Sequence, residues 1–141
     1  MPEAVSTVVG FDFGSHWIGM AIGQTLTRQA SPLNAVKAGD WKGIEKVLNE
    51  WQPQKLIVGL PLSMQGEPQE FTESARRFAR RLEGRFGIAC EMQDERLTTR
   101  EAYQIAIAGK RHKTKMEIDS IAAVLITESW LRAIEDEAIV K

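Results

Sequence analysis

The sequence predicts an α/β fold: a mixed five-stranded sheet, part antiparallel meander and part parallel, flanked by helices. Three observations carry that expectation. Val5, Thr7, Val8 and Val9, extended by Phe11 and Phe13, form one run of strand formers, and residues 17–23 form another beyond a turn at Gly14 and Ser15. The segment Lys55-Leu56-Ile57-Val58-Gly59-Leu60 is short and largely apolar, as in a strand buried on both faces of a parallel sheet. The remaining apolar residues recur at helical spacing, giving the order β-β-β-α-β-α-β-α-α: a meander followed by crossover units.

Taken in order, the first two strands make a hairpin that leaves Asp12 in mid-sheet. A third strand falls within residues 28–36, where Pro32 favours an edge. Asp40 reads as an N-cap, followed by Trp41, Ile44, Val47, Leu48 and Trp51 on one helical face, with Pro53 closing the helix. The strand at 55–60 ends at Pro61, before a turn-rich loop at 63–68. Phe71, Ala75, Phe78, Leu82 and Phe86 then keep one apolar helical face, while Arg76, Arg77, Arg80, Arg81 and Arg85 fall outside it; Gly84 and Gly87 mark the end. Residues 87–93 read as a strand running into Asp94-Glu95-Arg96. Thr98 and Glu101 have capping-box spacing for a helix that Gly109 ends, and residues 118–131 form the last helix. Its middle is apolar all round, which predicts packing between layers, with Ala122 and Ala123 allowing a close approach to the sheet.

At 141 residues, with 43% hydrophobic and 26% charged residues, the chain suits one globular domain over 1–141. No apolar run approaches the roughly 20 residues that span a bilayer, and no basic segment leads into an apolar one at the N-terminus, so a cytoplasmic protein without membrane contact is expected. The single cysteine, Cys90, rules out an intramolecular disulfide and a multi-cysteine zinc site; in a strand it reads as a small buried hydrophobe. A net charge of −1 argues against bulk attraction to nucleic acid, but the α-helical arginines and a basic loop of Lys110, Arg111, His112, Lys113 and Lys115 suggest localised polyanion contacts.

Asp12 is a lone acid among strand formers. Buried there, it needs a partner, a proton or a metal, unless it caps the turn at Gly14 or Ser15. In open α/β sheets ligands gather at the carboxyl ends of strands near the point where strand order reverses. That rule selects Asp12 late in the first strand, Glu95 just past the last strand and Asp119 at the opening of the final helix. Three converging carboxylates repel unless a hard cation offsets them, and oxygen ligands favour magnesium, with manganese as a substitute. Two such ions roughly 3.5 to 4 Å apart suit phosphodiester hydrolysis. Two histidines are too few for a zinc site, no Walker loop is present, and Ser15, Ser63 and Ser74 lack an evident partner base.

Four motifs carry a resemblance: Gly10-Phe11-Asp12-Phe13-Gly14-Ser15 with Ile18-Gly19-Met20-Ala21; Ile57-Val58-Gly59-Leu60-Pro61; Asp94-Glu95-Arg96-Leu97-Thr98-Thr99; and Asp119-Ser120-Ile121-Ala122-Ala123. In this order they resemble the YqgF family of the RNase H-like superfamily, described as Holliday junction resolvases or as nucleases maturing the 5′ end of pre-16S ribosomal RNA. The resemblance implies an RNase H-like fold in which Asp12, Glu95 and Asp119 are the catalytic, metal-binding acids. It places Arg96, Thr98 and Glu101 beside Glu95 and the Gly59-Leu60-Pro61 turn at the same cleft, and it gives the basic loop to the nucleic-acid backbone. Ser15, Arg96, Lys110, Arg111, Lys113 and Lys115 are the expected substrate contacts. Trp17 and Ser63 depart from the family pattern, where a basic residue and an asparagine are common.

The expected activity is magnesium-dependent nucleic-acid hydrolysis, with pre-16S rRNA processing ahead of resolution of branched DNA. A non-catalytic nucleic-acid-binding module is the alternative, with Glu95 paired to Arg96 or Arg100 and Asp119 serving its helix dipole. The Asp12 to Ser15 hairpin also matches the opening of actin-like and sugar-kinase ATPases, which need far more chain. The chain is expected to be a monomer or a homodimer, with Trp130 and Leu131 as a possible contact patch.

Overall fold

A computed structural model of the chain describes residues 6–14, 16–60, 70–94 and 120–140. Five strands, β1 (Thr7–Phe13), β2 (Trp17–Gln24), β3 (Gln29–Lys37), β4 (Lys55–Leu60) and β5 (Cys90–Asp94), form one sheet in the order β3-β2-β1-β4-β5. The first three pair antiparallel, whereas β1, β4 and β5 run parallel, as the predicted meander and crossovers require. All three parallel strands therefore end on the same side of the sheet.

Alternation along β1 divides the core. Val9 and Phe11 point to the face covered by α1 (Trp41–Trp51) and α2 (Glu70–Phe86), where they meet Ile44, Leu48, Phe78 and Leu82. Val8 points to the other face, against Ile126, Trp130 and Leu131 of α3 (Ile121–Val140). Period 2 puts Gly10 and Asp12 on that second face as well.

Local chemistry sets the ends. The Asp40 carboxylate accepts a hydrogen bond from the Gly43 amide at 2.9 Å, capping α1, and Gln52 ends it in the left-handed region. Gly87, at φ +67°, ends α2; Gly84 lies inside the helix. Strand β3 is an edge, as Pro32 suggested. The Ala30 amide turns away from β2 to bond Glu128 Oε2 at 3.1 Å, so Pro32, two residues on, falls where no ladder donor is needed.

Helix α3 departs from expectation in three respects. It runs on to Val140, nine residues past the predicted end, through a stretch in which Glu135, Glu137 and Ala138 are strong helix formers. It lies against one sheet face, with Ala123, Ile126, Thr127, Trp130 and Leu131 buried at helical spacing and Val124 and Leu125 half-buried. Trp130 and Leu131 thus belong to the core and do not form a contact patch. The close approach depends on Ala123 and two sheet glycines rather than on Ala122, which is half-buried. Thr127 sits between Gly10 and Gly23: a Cβ on Gly10 would fall onto Thr127 Oγ1, and one on Gly23 would lie 2.8 Å from Thr127 Cγ2. The predicted helix beginning near Thr98 and the loops at 63–68 and 110–115 lie outside the described residues.

Candidate functional site

Asp12 is the penultimate residue of the central strand β1 and is half-buried. Cross-strand, it pairs with Gly19 of β2. Next to it in the sheet is the end of β4, since Phe11 aligns with Val58, and then the end of β5, since Val58 aligns with Met92 and Leu60 with Asp94. The first strand is flanked by β2 on one side and β4 on the other, so Asp12 stands at the carboxyl end where the strand order changes direction.

The start of α3 is pinned to the same corner. The ladder between β2 and β3 slips between Ile18 and Met20, so that Gly19 spans Asn34 and Ala35. At that slip the buried Met20 amide donates to Ser120 Oγ at 3.0 Å, a link across 100 residues. Ser120, fully buried, also accepts the Val124 amide through its carbonyl at 3.1 Å. A path of Asp12, Gly19, Met20 and Ser120 therefore ties the acid-bearing strand to the opening of the helix. Ser120→Ala should cost about 1–3 kcal/mol in chemical denaturation, because the Met20 amide is left buried without an acceptor. Ser120→Thr, which keeps the hydroxyl, should recover part of that loss.

Of the residues singled out in the sequence, Asp12 is described here, whereas Ser15, Glu95, Arg96, Lys110, Arg111, Lys113, Lys115 and Asp119 lie outside the described residues. Asp94 is the last residue of β5 and, by alternation, shares the face of Cys90 and Met92, which pack toward the α1/α2 core. By the same alternation Asp12 is on the opposite face of the sheet. Among the described residues no group of three or more His, Cys, Asp or Glu side chains forms a metal cluster. Ser120 was visible in the sequence only as part of a motif; its anchoring role has no local signal.

The arginines of α2 do not form one patch. Arg76 pairs with Glu73 at 2.9 Å and, with Arg80, lies toward Cys90 and Met92 of β5. Arg77 and Arg81 lie toward Trp41, and the Arg85 guanidinium sits 4.3 Å from the Trp41 ring centroid. Trp17 and Trp51 are each 39% exposed, whereas Trp41 stacks on Phe78 at 5.7 Å between centroids.

Cys90 opens β5, half-buried, with its amide bonded to Glu83 Oε2 at 2.9 Å. Burial, then the charges of Glu83 and Glu91, push its thiol up from 9.0 to about 12. Such a thiol is neutral at physiological pH and is no nucleophile. The proton held in the folded state adds stability that is complete below pH 9.0 and is lost as pH rises toward about 12. Denaturant midpoints for wild type and Cys90→Ala should therefore converge over that alkaline interval.

Among the described residues no helix is long and apolar enough to cross a membrane. Residues 6–133 match the family model described as "RuvX: Holliday junction resolvase". The chain is 52% identical over 130 residues to a protein of Edwardsiella ictaluri named "Putative pre-16S rRNA nuclease", covering 88% of this chain and 93% of that one. A Shewanella denitrificans protein of the same name is 48% identical over 130 residues, with 88% and 92% covered. Among solved structures, Thermus thermophilus RuvC in complex with a Holliday junction substrate superposes with a TM-score of 0.59 at 13% identity, covering 92% of this chain and 96% of that one. The fowlpox virus resolvase with Holliday junction DNA gives 0.58 at 13%, covering 91% and 98%. At that identity the likeness is one of fold, and the fold is RNase H-like. Sequence similarity across nearly the whole length places the chain in the RuvX, or YqgF, family.

Proposed function

We propose that the chain is a metal-dependent nuclease whose reacting centre is built on Asp12, and that it acts on the 5′ region of pre-16S ribosomal RNA. The observation that carries this reading is the position of Asp12, at the shared carboxyl end of β1, β4 and β5 and tied through Gly19 and Met20 to Ser120. Glu95 follows Asp94 by one peptide and Asp119 precedes Ser120 by one, each a Cα step of about 3.8 Å.

The donor chemistry fits a hard divalent cation: three carboxylates bring six oxygens and a charge that needs offsetting. Asp12, Glu95 and Asp119 would hold magnesium, or manganese, as two ions. A divalent ion bound there supplies the positive charge that stabilises phosphodiester hydrolysis. The chain's own part is positional: β1 fixes Asp12 at the end of the sheet and the Ser120 anchor fixes the start of α3. Ser15, Arg96 and the basic residues Lys110, Arg111, Lys113 and Lys115 would hold the phosphate backbone on either side of the reacting bond.

Ribosomal RNA is placed ahead of branched DNA because relatives at about half identity carry the rRNA name, while the resolvase reading comes from the description of the family model over residues 6–133 and from solved structures that share fold alone. The test is cleavage of a labelled pre-16S 5′-leader RNA and a synthetic four-way DNA junction, each with magnesium or EDTA. Magnesium-dependent cutting of the leader is the expected result. Cutting of the junction alone would move the substrate to branched DNA, and binding of both without cutting would make the chain a nucleic-acid-binding module.

A further inference from the structure

Phe13 follows Asp12 and, by alternation, points to the opposite sheet face. There it borders a cavity of about 210 Å³ at the same end of the sheet, with Trp41 and Phe78 as further aromatic lining and Ser74, Arg77 and Arg81 of α2 as its polar wall. The aromatic side is held in place: Phe78 packs on Phe11 at 5.6 Å, on Phe13 at 5.1 Å and on Trp41 at 5.7 Å between ring centroids. Ser74, Arg77 and Arg81 follow one another at steps of three and four, so they form a stripe on α2 above the rings. Arg77 and Arg81 are exposed, and no ion pair to either occurs among the described residues. Two like charges one turn apart weaken a helix slightly, and an anion between them removes that cost.

We propose that this cavity is a second nucleic-acid subsite that takes one unpaired nucleotide of the bound strand, with its base against the aromatic side and its phosphate on Arg77 and Arg81. The inference rests on the nuclease reading above. Asp12 and Phe13 are neighbours at one sheet end, so a strand leaving the Asp12 face reaches the cavity by turning that end. Aromatic surface beside arginine is how proteins hold unpaired bases without reading their sequence. A paired base could not enter, so the subsite would favour single-stranded flanks over duplex.

The test is fluorescence anisotropy in EDTA with a labelled ten-nucleotide single-stranded RNA and a blunt duplex of the same length. Arg77→Gln/Arg81→Gln should weaken single-strand binding at least about tenfold, on the scale of one lost charge-assisted contact to the phosphate, with duplex binding much less affected. Ser74→Trp, which fills the cavity and leaves both arginines, should weaken single-strand binding similarly. Arg80→Gln, on the β5 side of α2, should stay near wild type. Equal loss in Arg80→Gln would reduce the effect to general charge and overturn the subsite, as would unchanged binding in both the double variant and Ser74→Trp. Displacement of the RNA by an acidic peptide that binds more tightly would assign the cavity to a protein partner instead. Because EDTA stops cleavage, the two readings fail separately: the nuclease reading fails if Asp12→Asn leaves cleavage unaffected, and the subsite fails if these affinities are equal while that cleavage is intact.

Discussion

Asp12→Asn should lower magnesium-dependent cleavage by about 10³-fold or more while leaving the thermal midpoint close to wild type. The substitution keeps the side-chain volume in a half-buried site at the end of β1 and removes the charge. Metal-borne stabilisation of phosphodiester hydrolysis is worth several kcal/mol, and each 1.36 kcal/mol is tenfold in rate. Relief of carboxylate repulsion in the metal-free state should, if anything, raise the midpoint slightly. Parallel scanning calorimetry and single-turnover cleavage separate the two effects. A variant that lost both activity and fold would say nothing about charge, so the midpoint is measured on the same preparation.

The largest expected loss of stability lies next door, at Gly10. It stands two residues before Asp12 on the face toward α3, where an added Cβ would fall onto Thr127 Oγ1 and lie 3.4 Å from the Ala123 carbonyl. Thr127 cannot turn aside freely: its hydroxyl donates to the Ala123 carbonyl at 2.6 Å, and its methyl sits over Gly23. Gly10→Ala should therefore push α3 off the sheet at a cost of about 3 kcal/mol, at the upper end for one added methyl in a packed core. Combining it with Thr127→Ala should return part of that loss, since Oγ1 and Cγ2 are both removed. A double-mutant cycle by urea denaturation would show the coupling, and additive losses would mean that the notch between Gly10 and Gly23 does not set the packing distance.

Those two residues mark the limits of what the sequence can reveal. The acid in β1 was legible because one carboxylate among Val8, Val9, Phe11 and Phe13 breaks a strand pattern, and the sheet followed from a meander succeeded by crossovers. The burial of Trp130 and Leu131 was also legible in principle: with Ala123, Ile126 and Thr127 they repeat at steps of three and four on one face. Ending the last helix at residue 131, where the apolar pattern stops, hid its continuation through Glu135-Asp136-Glu137. By contrast, Thr127 seated over Gly10 and Ser120 bonded to Met20 join residues 100 or more positions apart. No local pattern encodes such pairs. The arginines of α2 divided for a simpler reason: steps of one residue turn a helix by about 100°, so Arg76 and Arg77 face different neighbours although they adjoin in sequence.

The central claim is that Asp12, Glu95 and Asp119 act as one unit. The most direct measurement is single-turnover cleavage by Asp12→Asn, Glu95→Gln, Asp119→Asn and the triple variant under identical magnesium. Groups that hold the same ions lose their function together, so each single variant should fall nearly as far as the triple. Full magnesium-dependent activity in Glu95→Gln or Asp119→Asn, or losses that multiply independently across the three, would contradict a shared centre at the end of β1.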